Sequence, residues 1–177
     1  MVIENSYEYT KLIKTVTGKN VLAVAVREDN RNHCIESDSI IVSLMCDNKI
    51  YDVVYNHSES LSEGLDIGKL SCVKRFWVDD LKEFYHLTGF TNIYDIKLYA
   101  YLNRIEYNIS EMPHIFTHIY DMCYRHRGLN AIISLTKVLE YCHDRLNIMS
   151  NIFSEIDVTK YFIRYNSAMK TFAQLEN

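Results

Sequence analysis

The stretch Val73–Asn103 constrains the fold more than any other, because it carries four elements with punctuation at each joint. Val73–Val78 is a short apolar run containing Phe76 and Trp77, and it predicts a buried strand. Asp79 or Asp80 then opens a helix, where a carboxylate accepts from the free N–H groups at the positive end. Leu81, Phe84, Tyr85 and Leu87–Thr88 give that helix one apolar face, and Gly89 ends it as a C′ glycine does. Phe90–Tyr94 predicts a second strand. Asp95 caps a second helix with Leu98, Tyr99, Tyr101 and Leu102 inward. Strand, helix, strand and helix with short joints are the mark of an α/β domain.

The upstream half extends the pattern. Ser6–Thr17 has Tyr9, Leu12, Ile13 and Val16 at helical spacing, with Ser6 as N-cap and Gly18 as the stop. Val21–Val26 is apolar on both faces and β-branched, so it predicts a central strand covered on both sides. Arg27–Ser37 reads as polar loop. Ser39–Met45 and Lys49–Tyr55 predict a hairpin around Cys46-Asp47-Asn48, since Asp and Asn tolerate the turn conformation. Glu59–Gly68 is expected to hold a short connecting helix.

With 177 residues, one proline and five glycines, the chain suits one domain without a flexible linker. No apolar run approaches the roughly 20 residues of a membrane span, and no signal peptide is expected. Five cysteines without CxxC spacing suit buried thiols in a reducing cytoplasm. A net charge of −4 argues against a strong nonspecific hold on nucleic acid, which needs Lys and Arg to displace counterions.

Asp80-Leu81-Lys82, the glycine-ended helix, Ile93-Tyr94-Asp95 and Leu98-Tyr99-Ala100-Tyr101-Leu102-Asn103 together resemble the middle of the 3′–5′ exonuclease domain of family A DNA polymerases, the bacterial DNA polymerase I type. The upstream order of helix, strand, hairpin and helix extends the resemblance. It implies a ribonuclease H-like α/β fold over residues 1–177, a mixed sheet flanked by helices with long C-terminal helices, standing alone or as a piece of a longer polymerase.

The resemblance also implies where chemistry would sit. In active members the first strand ends Asp-x-Glu, and these carboxylates bind the metal ions that activate water. Aligned on Val21-Leu22-Ala23-Val24, those positions hold Ala25 and Arg27. Alanine has no ligating atom, and a guanidinium repels a cation. Asp80, with Asp79 beside it, matches the second-motif carboxylate and equally suits a plain helix cap. Tyr124-Arg125-His126-Arg127-Gly128 matches the third motif, Tyr-x-x-x-Asp, with Gly128 in place of the Asp. One surviving carboxylate cannot hold a two-metal site, which needs clustered negative charge.

The implied function is a catalytically inactive proofreading-like domain acting in DNA replication and repair. It would support the polymerase domain of the same chain and lie beside the DNA path. Contact with DNA would be weak or indirect, through Arg125 and Arg127, and neither a membrane nor an oligomer is expected. No cofactor is expected; Mg²⁺ or Mn²⁺ would be needed only by the alternative, a live exonuclease using Asp80, Asp79, Asp95, Glu28 or Asp29. A third reading is a freestanding interaction module on the same fold.

Ile132, Leu135, Leu139, Cys142, Leu146, Met149, Phe153 and Ile156 recur at steps of three and four, predicting a long helix or two in line. Packing on its own domain explains this stripe better than a coiled coil, because the flanking positions carry no charge code. Asp157–Gln174 predicts a final helix with Tyr161, Phe162, Tyr165, Ala168, Met169 and Phe172 inward. His114, His118, Cys123 and His126 lack a clear set of zinc ligands. Tyr51, Tyr55, Tyr99, Tyr101, Tyr107 and Tyr120 suit base stacking in type, but no basic groove interleaves with them.

Overall fold

A computed structural model describes residues 1–29, 38–55, 65–105, 130–153 and 158–176, with backbone alone for 27–29, 38–39 and 130–135. The sequence readings at 106–129 lie outside the described residues, including Tyr124, Arg125, Arg127, Gly128 and the His114–His126 group.

Helix α1, Ser6–Val16, begins one residue inside its cap. The cap is Asn5, not Ser6: Asn5 is extended, and its Oδ1 accepts from the Tyr7 and Glu8 N–H groups at 3.1 and 3.0 Å. Strand β1, Asn20–Asp29, outruns the predicted Val21–Val26. The polar residues Arg27–Asp29 still pair, opposite Ile40, Ser39 and Asp38, because the ladder is made by backbone groups that ignore side-chain polarity. Strands β2, Asp38–Cys46, and β3, Lys49–Tyr55, form the predicted hairpin. Its two-residue turn puts Asp47 and Asn48 at φ of 51° and 59°, the conformation a tight hairpin demands and these side chains tolerate.

A 3₁₀ helix, Ile67–Cys72, stands at the end of the predicted connecting helix. Strand β4 is Arg75–Val78, shorter than Val73–Val78 because Val73 closes the 3₁₀ helix and bridges to Thr17 instead. Helix α2, Leu81–Thr88, has Asp80 as N-cap and Gly89 at φ 71° as its stop. Strand β5 shrinks from the predicted Phe90–Tyr94 to Ile93–Asp95, and Asp95 caps α3, Ile96–Leu102. In α3, Ile96, Tyr99 and Ala100 are buried, whereas Tyr101, expected inward, is exposed. Two further helices follow, α4, Asn130–Phe153, and α5, Lys160–Leu175.

Among the described residues the strands form one five-stranded sheet in the order β3-β2-β1-β4-β5. β1–β2 and β2–β3 are antiparallel, while β1–β4 and β4–β5 are parallel. The alternation of a strand splits β1 between two cores. Val21, Ala23 and Ala25 face a layer built from α1 and α2. Leu22, Val24 and Val26 face α3 and α4, where Cys142, Leu146 and Met149 are fully buried. The long stripe therefore packs on its own sheet, as expected for Leu139 through Phe153.

Helix α5 crosses the β5 edge from one core to the other. Phe162 stacks on Trp77 at 5.5 Å and meets Tyr94 and Tyr99 edge-on, while Ala173 lies in the α1–α2 core. Its inward face is thus Phe162, Asn166, Met169 and Ala173, and Tyr161, Tyr165, Ala168 and Phe172 are exposed, against expectation. The aromatic content made the apolar stripe of α5 wider than the face the core could take.

Candidate functional site at the end of β4

The carboxylates that the sequence brought forward gather where β4 and β5 end and α2 and α3 begin. Asp79, Asp80, Asp95, Lys97, Tyr101 and Met169 line a concavity of about 420 Å³ there. Parallel strands followed by helices place loop ends and helix N-termini together, which is why such ends hold sites.

Asp79 follows Val78, which pairs with Ala23, and so stands abreast of Val24. Its carboxylate is buried and ion-paired with the buried guanidinium of Arg145 on α4. Arg145 also lies over the Tyr141 ring at 4.9 Å, and its Nε has no hydrogen-bond partner among the described residues. Burial raises the Asp79 pKa and the Arg145 charge opposes that rise.

Asp80 spends Oδ1 on the Glu83 N–H at 2.9 Å. Asp95 spends both oxygens on helix starts: Oδ1 accepts from Leu98 N–H at 2.7 Å and Oδ2 from Leu81 N–H at 3.3 Å. The burial of Asp95 pushes its pKa up to about 6, against the backbone N–H groups that favour its charge. An aspartate above its unfolded value of about 3.9 binds its proton more tightly when folded, so stability falls as pH rises from about 4 to 6. The expected contribution is about 3 kcal/mol, present at low pH and lost above pH 6. Urea unfolding at pH 4 and 7.5 measures most of it. The parent should lose stability with rising pH, and Asp95→Asn should flatten most of that slope; a parent with no slope contradicts the assignment.

The first-strand positions do not join this cluster. Ala25 is buried against the α1–α2 layer, on the sheet face opposite Asp79 and Arg145. The described β1 side chains on the Arg145 face are Leu22, Val24 and Val26. The alignment at Ala25 and Arg27 is thus one residue out of phase with that face; the in-phase β1 positions with described side chains, Leu22, Val24 and Val26, carry no ligating atom. Arg27, Glu28 and Asp29 are placed by backbone only, in the ladder with β2.

These residues do not fit a divalent cation. Asp79 is ion-paired with Arg145, Asp95 has both oxygens committed, and Asp80 has given Oδ1 to the Glu83 N–H, so one carboxylate oxygen of Asp80 remains where a divalent cation needs several ligands. Among the described residues no group of three or more His, Cys, Asp or Glu side chains could hold a metal ion.

Three features escaped the sequence reading. Arg145 is one, a charged residue next to the fully buried Leu146. Asn166 is the second: its amide pairs with the β5 edge, accepting from Asp95 N–H at 2.8 Å and donating to Ile93 C=O at 2.9 Å. The third is a buried carboxylate, Asp52, which accepts from Ser43 Oγ at 2.7 Å and lies 2.9 and 3.0 Å from His143 Nε2. There the hydroxyl bonds the carboxylate rather than the imidazole, so it fastens α4 to the hairpin and does not form a nucleophile–base pair. The available signal for Asn166 was a polar residue at an inward helical position.

Compared with protein-family models, curated proteins and solved structures, the chain matches none.

Proposed function

We propose that the chain is a ribonuclease H-like domain of the 3′–5′ exonuclease kind, acting as a scaffold without catalysing hydrolysis. The observation that carries this reading is the Asp79–Arg145 pair. A buried guanidinium sits against Asp79 at the end of β4, next to Asp80, which matches the metal-binding carboxylate of the resembling exonucleases. A tethered positive charge balances the buried Asp79 carboxylate and competes with a divalent cation for it. The β1 residues facing it, Val24 and Val26, are hydrocarbon.

The mixed sheet supports the fold part of the reading. β1 is central, a hairpin lies on one side and parallel strands on the other, with helices on both faces. The role that follows is support for a polymerase body and its DNA path, with DNA contact weak at a net charge of −4.

Digestion of 5′-labelled single-stranded DNA with Mg²⁺ or Mn²⁺ tests this directly. The folded parent should leave the DNA intact. Cleavage by the parent, abolished in Asp80→Ala, would overturn the reading and restore the live exonuclease.

A further inference from the structure

We propose that the outer face of α5 is a self-association surface, joining two copies of this chain through an antiparallel α5–α5 contact. Tyr161, Tyr165, Phe172 and Leu175 are 75, 53, 62 and 76% exposed, and Ala168 at their centre is exposed too. Their spacing of four, three, four and three residues is a heptad seam, separate from the inward face at Phe162, Asn166, Met169 and Ala173. α5 thus carries two apolar stripes and its own domain uses one.

The stripe is nearly self-complementary about Ala168. With the second helix reversed, Tyr161 falls opposite Leu175 of the other copy and Tyr165 opposite Phe172, while the small Ala168 residues meet at the crossing, where close approach is needed. Each large side chain carries about 150–250 Å², so at these exposures the stripe offers roughly 400–600 Å² per copy. Two such faces bury about 1,000 Å², near the lower bound for a specific interface, which makes the association weak and concentration-dependent.

Charge selects the antiparallel arrangement. Lys160 and Arg164 are exposed at the start of α5, at the positive end of its own dipole, and the first turn of the helix itself holds no acidic residue. A reversed second helix brings its negative C-terminal end and Glu176 toward them. Parallel packing would place both basic ends together. The Lys82–Glu176 pair at 2.5 Å is exposed and can share its carboxylate.

Sedimentation equilibrium over a concentration series tests the contact. The parent mass should rise toward twice the monomer value, and Phe172→Asp should remain monomeric at every concentration with an unchanged thermal unfolding curve. Ala168→Cys should give a disulfide-linked dimer on mild oxidation, while Thr171→Cys and the parent should not. A parent that stays monomeric throughout, or a Phe172→Asp chain that still dimerises, overturns the proposal. Cross-linking through Thr171→Cys but not Ala168→Cys overturns the antiparallel geometry. None of these results depends on whether the β4 end cleaves DNA.

Discussion

Replacing Arg145 with methionine lowers the unfolding free energy by about 3–5 kcal/mol, because the substitution leaves Asp79 buried without a counter-charge. Both side chains of the pair are nearly inaccessible, at 8 and 4% exposure, so water cannot take over the lost partner. For a domain whose whole stability is about 5–15 kcal/mol, that is a large share. The double variant Arg145→Met with Asp79→Leu should recover most of the loss, since a buried ion pair exchanged for hydrocarbon is often close to neutral. Urea unfolding of the parent, both single variants and the double variant gives the coupling energy. A single-variant loss below about 1 kcal/mol would mean that the pair is solvated, as surface pairs are, and would remove the basis for calling Arg145 a tethered cation.

Asn166→Ala is the second large effect. The Asn166 amide does for β5 what a neighbouring strand would do, supplying an acceptor to Asp95 N–H and a donor to Ile93 C=O. Truncation leaves two buried backbone groups unpaired, at about 1–3 kcal/mol each, and the expected loss is about 2–6 kcal/mol. Asn166→Asp keeps the acceptor but turns a carboxylate oxygen toward the Ile93 carbonyl, so it should be no better than alanine. Hydrogen exchange locates the effect: the Asp95 amide should lose protection far more than amides in the centre of β1. Equal loss at both places would show global destabilisation and contradict the role of Asn166 as an edge cap.

Local chemistry made much of the fold legible. The Asp47–Asn48 turn, the Asp80 cap and Gly89 stop of α2, and the Asp95 cap of α3 each depend on a few adjacent residues and stand where the sequence placed them. The strand boundaries shifted because pairing partners, not composition, decide where a ladder ends, as β1 shows by pairing through Arg27–Asp29. The inward face of α5 was misread because aromatic residues lie on two sides of that helix and periodicity alone cannot say which side meets the sheet.

The candidate site was legible only in its carboxylates. Asp79, Asp80 and Asp95 stood out as helix starters, and the structure brings them together at one concavity. What they are bonded to was not legible. Arg145 comes from another helix, and Asn166 reaches residues 71 and 73 positions away, distances at which no sequence spacing carries a signal. The phase of β1 against Asp79 likewise needed the β1–β4 register, which turns Ala25 away and presents Val24 and Val26.

Arg145 supplies, from within the chain, a positive charge at the end of β4. Paramagnetic broadening of backbone amide signals by Mn²⁺ tests it most directly, because the ion reports its own position. Asp79, Asp80, Leu81, Asp95 and Ile96 should keep their signals at Mn²⁺ levels where exposed surface carboxylates begin to broaden. Selective loss of those signals in the folded parent would place a divalent cation at the end of β4 and rule out the role given to Arg145.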